Sequence, residues 1–163
     1  MLNWPDNNFI ENVEKRGFSE VIEKLIENQK IQVLRLSYHP RVLTEAECQT
    51  NKMFYKQFVN TGELKLYEIF ELKLVSVFKK IFSNTGESYL YNSNGLAKIQ
   101  NENMITQQIQ KSLRIEEGVL LLFPEKQTII STGYDLTCDV FSWIPLEDNL
   151  IIETLKKHNV HVW

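Results

Sequence analysis

The hydrophobic pattern between residues 118 and 145 predicts three successive β-strands joined by short turns. Residues 119–123 form a continuous apolar run, residues 128–132 are rich in β-branched side chains, and residues 136–144 alternate between two kinds of position. A proline and a glycine separate these runs, as expected at turns. We therefore predict that these strands form the centre of the sheet.

The last of these predicted strands has two different faces, because successive side chains of a strand point in opposite directions. One face is small and apolar, as a core face should be, and consists of Leu136, Cys138, Val140, Ser142 and Ile144. The other face combines a carboxylate with two large aromatic residues, and consists of Thr137, Asp139, Phe141 and Trp143.

A face of the second kind is either covered by a helix or available to a partner, since aromatic residues beside acidic groups are typical of protein interfaces. The candidate partner-binding surface consists of Tyr134, Asp135, Asp139, Phe141 and Trp143. In the alternative, Phe141 and Trp143 are buried under the long helix that the sequence predicts upstream.

Apolar residues recurring at steps of three and four predict helices elsewhere in the chain. These helices cover residues 7–16, 19–29, 44–59, 63–82, 101–114 and 147–157. The longest one, residues 63–82, is predicted to bury Leu66, Ile69, Phe70, Leu74, Val77, Phe78 and Ile81. Its polar remainder includes Glu71, and its first part, residues 64–74, also alternates, so a strand there stays an alternative.

Shorter strands are predicted at residues 31–37, 88–92 and 160–163. Together with the helices they indicate a single α+β domain spanning residues 1–163. Its sheet is expected to be mixed or mainly antiparallel, to be centred on residues 119–144, and to carry helices chiefly on one face.

Charge and composition narrow the classes of function. A net charge of -3 is too negative for a dedicated binder of the phosphate backbone, so nucleic acid is not an expected partner. No apolar run approaches the length needed to cross a bilayer, and the N-terminus lacks a signal-peptide pattern. The two cysteines, Cys48 and Cys138, indicate buried thiols in a reducing compartment, which predicts a cytoplasmic protein.

Sequence motifs for catalysis or cofactor binding are absent. Neither phosphate-binding glycine pattern occurs, and no serine or cysteine has the setting of a nucleophile elbow. Histidines His158 and His161 could in principle bind zinc with Cys48 or Cys138, but the spacing matches no metal motif. The sequence therefore predicts no metal, no cofactor and no enzymatic activity.

In general style the chain resembles the small acidic immunity proteins that bacteria pair with contact-dependent or secreted toxins. The resemblance rests on size, on acidic balance, and on helices leading into the strands LLLFPEKQTIISTGYDLTCDVFSWI. It implies a protein that binds a cognate toxin domain in the cytoplasm and blocks its active site or substrate path. It assigns a role to no individual residue.

Two alternatives to this function stay open from the sequence. One is a small enzyme or ligand-binding domain whose polar groups, for example Arg35, Tyr91, Asp135 and His161, converge only in the folded protein. The other is a regulatory or structural subunit. The oligomeric state is unknown from the sequence.

Overall fold

The computed structural model describes residues 7–28, 31–37, 44, 46–47, 54–115, 117–133, 137–158 and 161–162. The helices are α1 (Asn7–Arg16), α2 (Phe18–Glu27), α3 (Tyr55–Asn60), α4 (Leu64–Ser83), α5 (Glu102–Ile115) and α6 (Leu150–Lys157). The strands are β1 (Gln32–Ser37), β2 (Tyr89–Asn92), β3 (Gly95–Lys98), β4 (Val119–Phe123), β5 (Thr128–Thr132), β6 (Thr137–Ser142) and β7 (His161–Val162).

All seven of these strands, within the described ranges, belong to one sheet in the order β3-β2-β4-β5-β6-β1-β7. Every neighbouring pair is antiparallel. Strand β5 lies in the middle, with both Ile129 and Ile130 fully buried. The predicted α+β class is confirmed, and so is the prediction that the sheet is centred on the strand block near the C-terminus.

One face of the sheet packs against α4, α5 and α6. Its centre joins Leu121, Ile130 and Val140 from three adjacent strands to Phe78 of α4 and Ile109 of α5. Cys138 is also buried here, so the small apolar side of β6 faces this core as predicted. Leu136, predicted for the same face, lies outside the described residues.

The opposite face of the sheet is covered in part by α1 and α2. Phe9 and Ile22 from these helices pack with Leu122, Ile129 and Phe141 in a second core. A glycine at position 17, with φ of 84°, joins the two helices in a conformation that other residues rarely adopt. The helices therefore lie chiefly on one face, as expected, with one helix pair on the other.

The long helix α4 forms as predicted and buries Leu74, Val77, Phe78 and Ile81 as expected, but two of its predicted core residues lie on the solvent side. Leu66 and Ile69, expected to be buried, are exposed, whereas Tyr67 and Glu71 are fully buried. The Tyr67 hydroxyl donates a hydrogen bond of 2.7 Å to the carbonyl of Leu113 on α5. Beside its apolar residues, the inward side of α4 thus includes polar contacts with α5, which hydrophobic periodicity cannot register.

Glu71 is a buried carboxylate held by two side chains of α5. Arg114 donates to its two oxygens from Nε at 2.6 Å and from Nη2 at 2.7 Å, and Gln110 donates from Nε2 at 2.8 Å. The bonded carboxylate raises the pKa of Arg114 above its ordinary value. The guanidinium also lies over the ring of Tyr55, 5.4 Å from its centroid, so this cluster joins α3, α4 and α5.

The predicted helix over residues 44–59 is not continuous. Its start is confirmed by a capping box, because the Thr44 amide donates to Glu47 at 2.9 Å and the Glu47 amide donates to the Thr44 hydroxyl at 3.3 Å. Phe54, however, is extended, with φ of -109° and ψ of 144°, and α3 begins after it. The Phe54 amide donates to the Gln57 side chain at 2.9 Å, which stabilises this second helix start.

Removing Arg114 should destabilise the fold strongly, because it leaves the Glu71 carboxylate buried without its countercharge. We expect Arg114→Met to lower the free energy of unfolding by about 3 kcal/mol. Urea denaturation followed by circular dichroism measures the change. The control is Lys15→Met, which removes the exposed Lys15–Glu11 pair and should cost less than about 0.5 kcal/mol. Equal, small losses in both variants would contradict the importance of the Glu71 cluster.

Candidate functional site

The partner-binding surface predicted from the sequence centres on the outer face of β6. Asp139 and Phe141 alternate along that strand, opposite Arg35 and Val33 of β1. Two of the predicted residues, Tyr134 and Asp135, lie outside the described residues, in the connection between β5 and β6. The structure therefore places three of the five residues on one face of the sheet.

The aromatic members of this surface are covered by the N-terminal helices. Phe141 is only 5% exposed, and its ring meets the edge of Phe18 at 5.4 Å between centroids. Trp143 is half-buried and packs edge-on against Phe9 at 6.2 Å. The alternative in which a helix covers these rings is the arrangement observed, except that α1 and α2 cover them instead of the long helix. Phe141 is a core residue, not an exposed anchor.

Asp139 is bonded to the cation opposite it on β1. Arg35 donates to its two carboxylate oxygens, from Nε at 2.7 Å and from Nη2 at 3.0 Å. Both side chains are partly exposed. On the other side of β6, Ser131 of β5 lies opposite Asp139. This pair presents a carboxylate already neutralised by a guanidinium, so a partner meets a bonded ion pair there and not an isolated negative charge.

The polar constellation that would favour an enzyme or ligand-binding domain is not assembled by the described residues. Arg35 is on β1 and Tyr91 is on β2, with β6, β5 and β4 between them. Four strand spacings separate the two residues by about 19 Å. His161 lies on β7 opposite Ser37, next to the strand of Arg35, and Asp135 is outside the described residues.

A second candidate surface, which the sequence reasoning missed, lies on the solvent side of α4. Leu66, Ile69 and Leu72 follow one another at three-residue steps and are 45%, 61% and 58% exposed. We call these three residues the apolar row. Val59 on α3 is exposed as well. A signal for this surface was present, because residues 64–74 contain more apolar positions than one helix face can bury.

Lysines lie along the same side of α4. At 100° per residue, Lys65 and Lys73 lie about 40° on either side of Ile69 around the helix, and Lys80 lies about 20° from it. Near Lys80 the surface becomes concave. A groove of about 380 Å³ separates the end of α4 from α6, and it is lined by Lys80, Asn84, Leu150, Glu153, Thr154, Lys157 and His158.

The pKa shifts resolved in the described residues arise from pairs of charged or polar side chains, on the surface or between two helices. The bonded ammonium of Lys98 lowers the pKa of Glu87, whose carboxylate in turn raises the pKa of Tyr89 and of Lys98. Lys111, with help from Ser93, lowers the pKa of Glu117. Each resolved shift favours the protonation form that the group already has at pH 7. None of these shifts therefore moves a pKa toward 7, where a general acid or base would work.

Neither a metal centre nor a membrane span is found in the part of the chain that the structure describes. No group of three or more histidine, cysteine, aspartate or glutamate side chains there could hold a metal ion. None of the described helices combines the length and the apolar character that crossing a bilayer requires.

In comparisons with known proteins, no family model, curated protein or solved structure matches this chain.

Reversing the charge of Asp139 should destabilise the sheet, because it places a second cation directly opposite Arg35. We expect Asp139→Lys to lower the free energy of unfolding by about 1 kcal/mol, and the exchange Arg35→Asp with Asp139→Lys to recover most of that loss. The urea midpoints of the single and double variants measure both effects. An exchanged pair that is no more stable than Asp139→Lys alone would show that the two side chains are not coupled.

Proposed function

We propose that this chain is a non-enzymatic binding protein that neutralises a cognate bacterial toxin in the cytoplasm by covering the toxin's active site or substrate path. The toxin as partner comes from the resemblance of the sequence to immunity proteins. The observation that carries the proposal of protein binding is the apolar row of α4, three large aliphatic side chains exposed side by side on a helix.

The apolar row offers apolar area that a partner can bury at the centre of an interface. Full burial of a leucine or isoleucine side chain is worth about 1.5–3 kcal/mol, so covering three half-exposed ones contributes on the order of 3 kcal/mol. Lys65 and Lys73 flank the row, which matches the usual arrangement of an apolar centre inside a polar rim. Contiguous exposed apolar residues with such a rim mark interaction sites more often than isolated ones do.

The apolar row and the surface predicted on β6 lie on different sides of the protein. Helix α4 packs on the sheet face that holds Val140, whereas Asp139 projects from the opposite face. One toxin domain lying on α4 therefore leaves the Arg35–Asp139 pair outside its contact. Because Phe141 is buried and Asp139 is bonded, we assign the toxin contact to α4.

The test pairs the chain with the product of the reading frame immediately upstream of its own gene. Expression of that product alone should stop bacterial growth, and co-expression of this chain should restore it. The variant Ile69→Asp with Leu72→Asp should abolish the rescue and weaken binding of the purified partner, measured by titration calorimetry, by about 100-fold. Both changes place a charge in the centre of the contact.

The matched control is Ile26→Asp, which charges another helical aliphatic residue, 42% exposed on α2. It should bind and rescue like the unchanged chain, and circular dichroism should show the same fold in all variants. An upstream product that does not inhibit growth, or rescue that survives the double change on α4, would contradict the proposal.

A further inference from the structure

The charge of the α4 surface differs in sign from that of the whole protein. The chain carries a net charge of -3, yet Lys65, Lys73 and Lys80 follow the solvent side of α4. At the groove, Lys157 is paired with Glu153 at 2.5 Å, and Lys80 adds a positive charge to the lining. This side of the protein is therefore apolar and basic, and the excess of acidic residues lies elsewhere.

The groove can take a side chain or a short turn from a partner. Its volume of about 380 Å³ lies within the range of sites that bind compact groups. Leu150 is an exposed apolar residue of its lining, which also contains Lys80 of α4 and the Lys157–Glu153 pair of α6. The Asn84 side chain donates a hydrogen bond of 2.8 Å to the carbonyl of Lys80, and the His158 amide donates one of 3.3 Å to the carbonyl of Thr154. These carbonyl groups at the ends of the two helices are therefore hydrogen-bonded within the protein.

The groove continues the apolar row along one line. Lys80 is three helical turns beyond Ile69, almost directly in line with it, so the distance along the axis is about 16 Å. From Leu66 to Lys80 the surface is about 21 Å long. A helix of about 14 residues, or an extended segment of about six, spans that length.

We propose that the apolar row and the groove form one docking surface for an acidic amphipathic segment of a partner protein. Its apolar side chains cover Ile69 and Leu72, and one of its carboxylates enters the groove beside Lys80. This inference rests on the proposed function for the choice of α4 as the contact, and it adds the chemistry of the segment that α4 binds.

Charge and shape favour this occupant over two others. A second copy of α4 would bring its own Lys65, Lys73 and Lys80 to the interface, and like charges at an interface oppose association. A membrane surface offers a flat plane, whereas the end of this surface is a groove. The apolar row also contains no aromatic residue of the kind that anchors interfacial helices.

The probe is a displayed library of 15-residue helical peptides with leucines fixed at i, i+3 and i+7. The flanking positions carry Glu, Lys, Gln or Ser at random. The full chain is the bait, and the Ile69→Asp variant removes peptides that bind elsewhere. We expect the enriched peptides to be acidic, because their carboxylates meet the lysines of α4 and the groove.

Binding of an enriched peptide is then measured by fluorescence anisotropy. The variant Lys80→Glu with Lys157→Glu should weaken it by about tenfold, since the contact with Lys80 becomes repulsive and Glu153 loses the countercharge of Lys157. The control Lys15→Glu with Lys24→Glu changes the net charge equally on α1 and α2, where both lysines also pair with glutamates four residues away. That control should bind the peptide with an affinity within about twofold of that of the unchanged chain.

Enrichment of neutral or basic peptides, no enrichment at all, or equal losses in the two lysine variants would overturn the inference. So would binding of the chain to vesicles of phosphatidylcholine and phosphatidylglycerol, or a concentration-dependent mass that Ile69→Asp abolishes. These outcomes are distinct from failure of the proposed function. Rescue lost with the α4 row but kept with the lysine changes would sustain toxin binding and refute the acidic segment.

Discussion

The central strands are apolar on both faces, and this constraint determines how the rest of the chain is arranged. Every residue of β4 is buried, and so are Ile129 and Ile130, which point to opposite sides of β5. Both faces must therefore be covered. Helices α4, α5 and α6 cover one face, and α1 with α2 covers the other. The burial of Phe141 beneath Phe18 follows directly from the second cover.

Local signals predicted the parts of the fold that local interactions determine. The strand block, the capping box at Thr44 and the existence of α4 follow from residue type and spacing, because each depends on neighbours within a few positions. The cover of Phe141 does not, since it depends on helices more than a hundred residues away in the chain. The choice between a buried and an exposed aromatic face of β6 could be posed from the sequence but not decided.

The start of α6 illustrates a further limit. The acidic pair Glu147 and Asp148 indicates a helix start, yet α6 begins at Leu150 with Asn149 as its cap. The buried side chain of Asn149 donates from Nδ2 to the Thr128 hydroxyl at 2.7 Å and to the Ser142 hydroxyl at 3.0 Å. These partners come from two strands, so the position of the cap depends on tertiary contacts that no window of sequence contains. At Phe54, by contrast, the predicted helix is interrupted and the new helix start is stabilised locally by the side chain of Gln57.

The orientation of α4 connects stability with the proposed contact. The helix buries the Glu71 carboxylate with Arg114 and leaves Ile69 and Leu72 in water. The same side of the helix buries Val77, Phe78 and Ile81, so this orientation already places its larger apolar side in the core. Ile69 and Leu72 are therefore apolar residues beyond what that side can bury. The free energy of burying them becomes available when a partner covers α4.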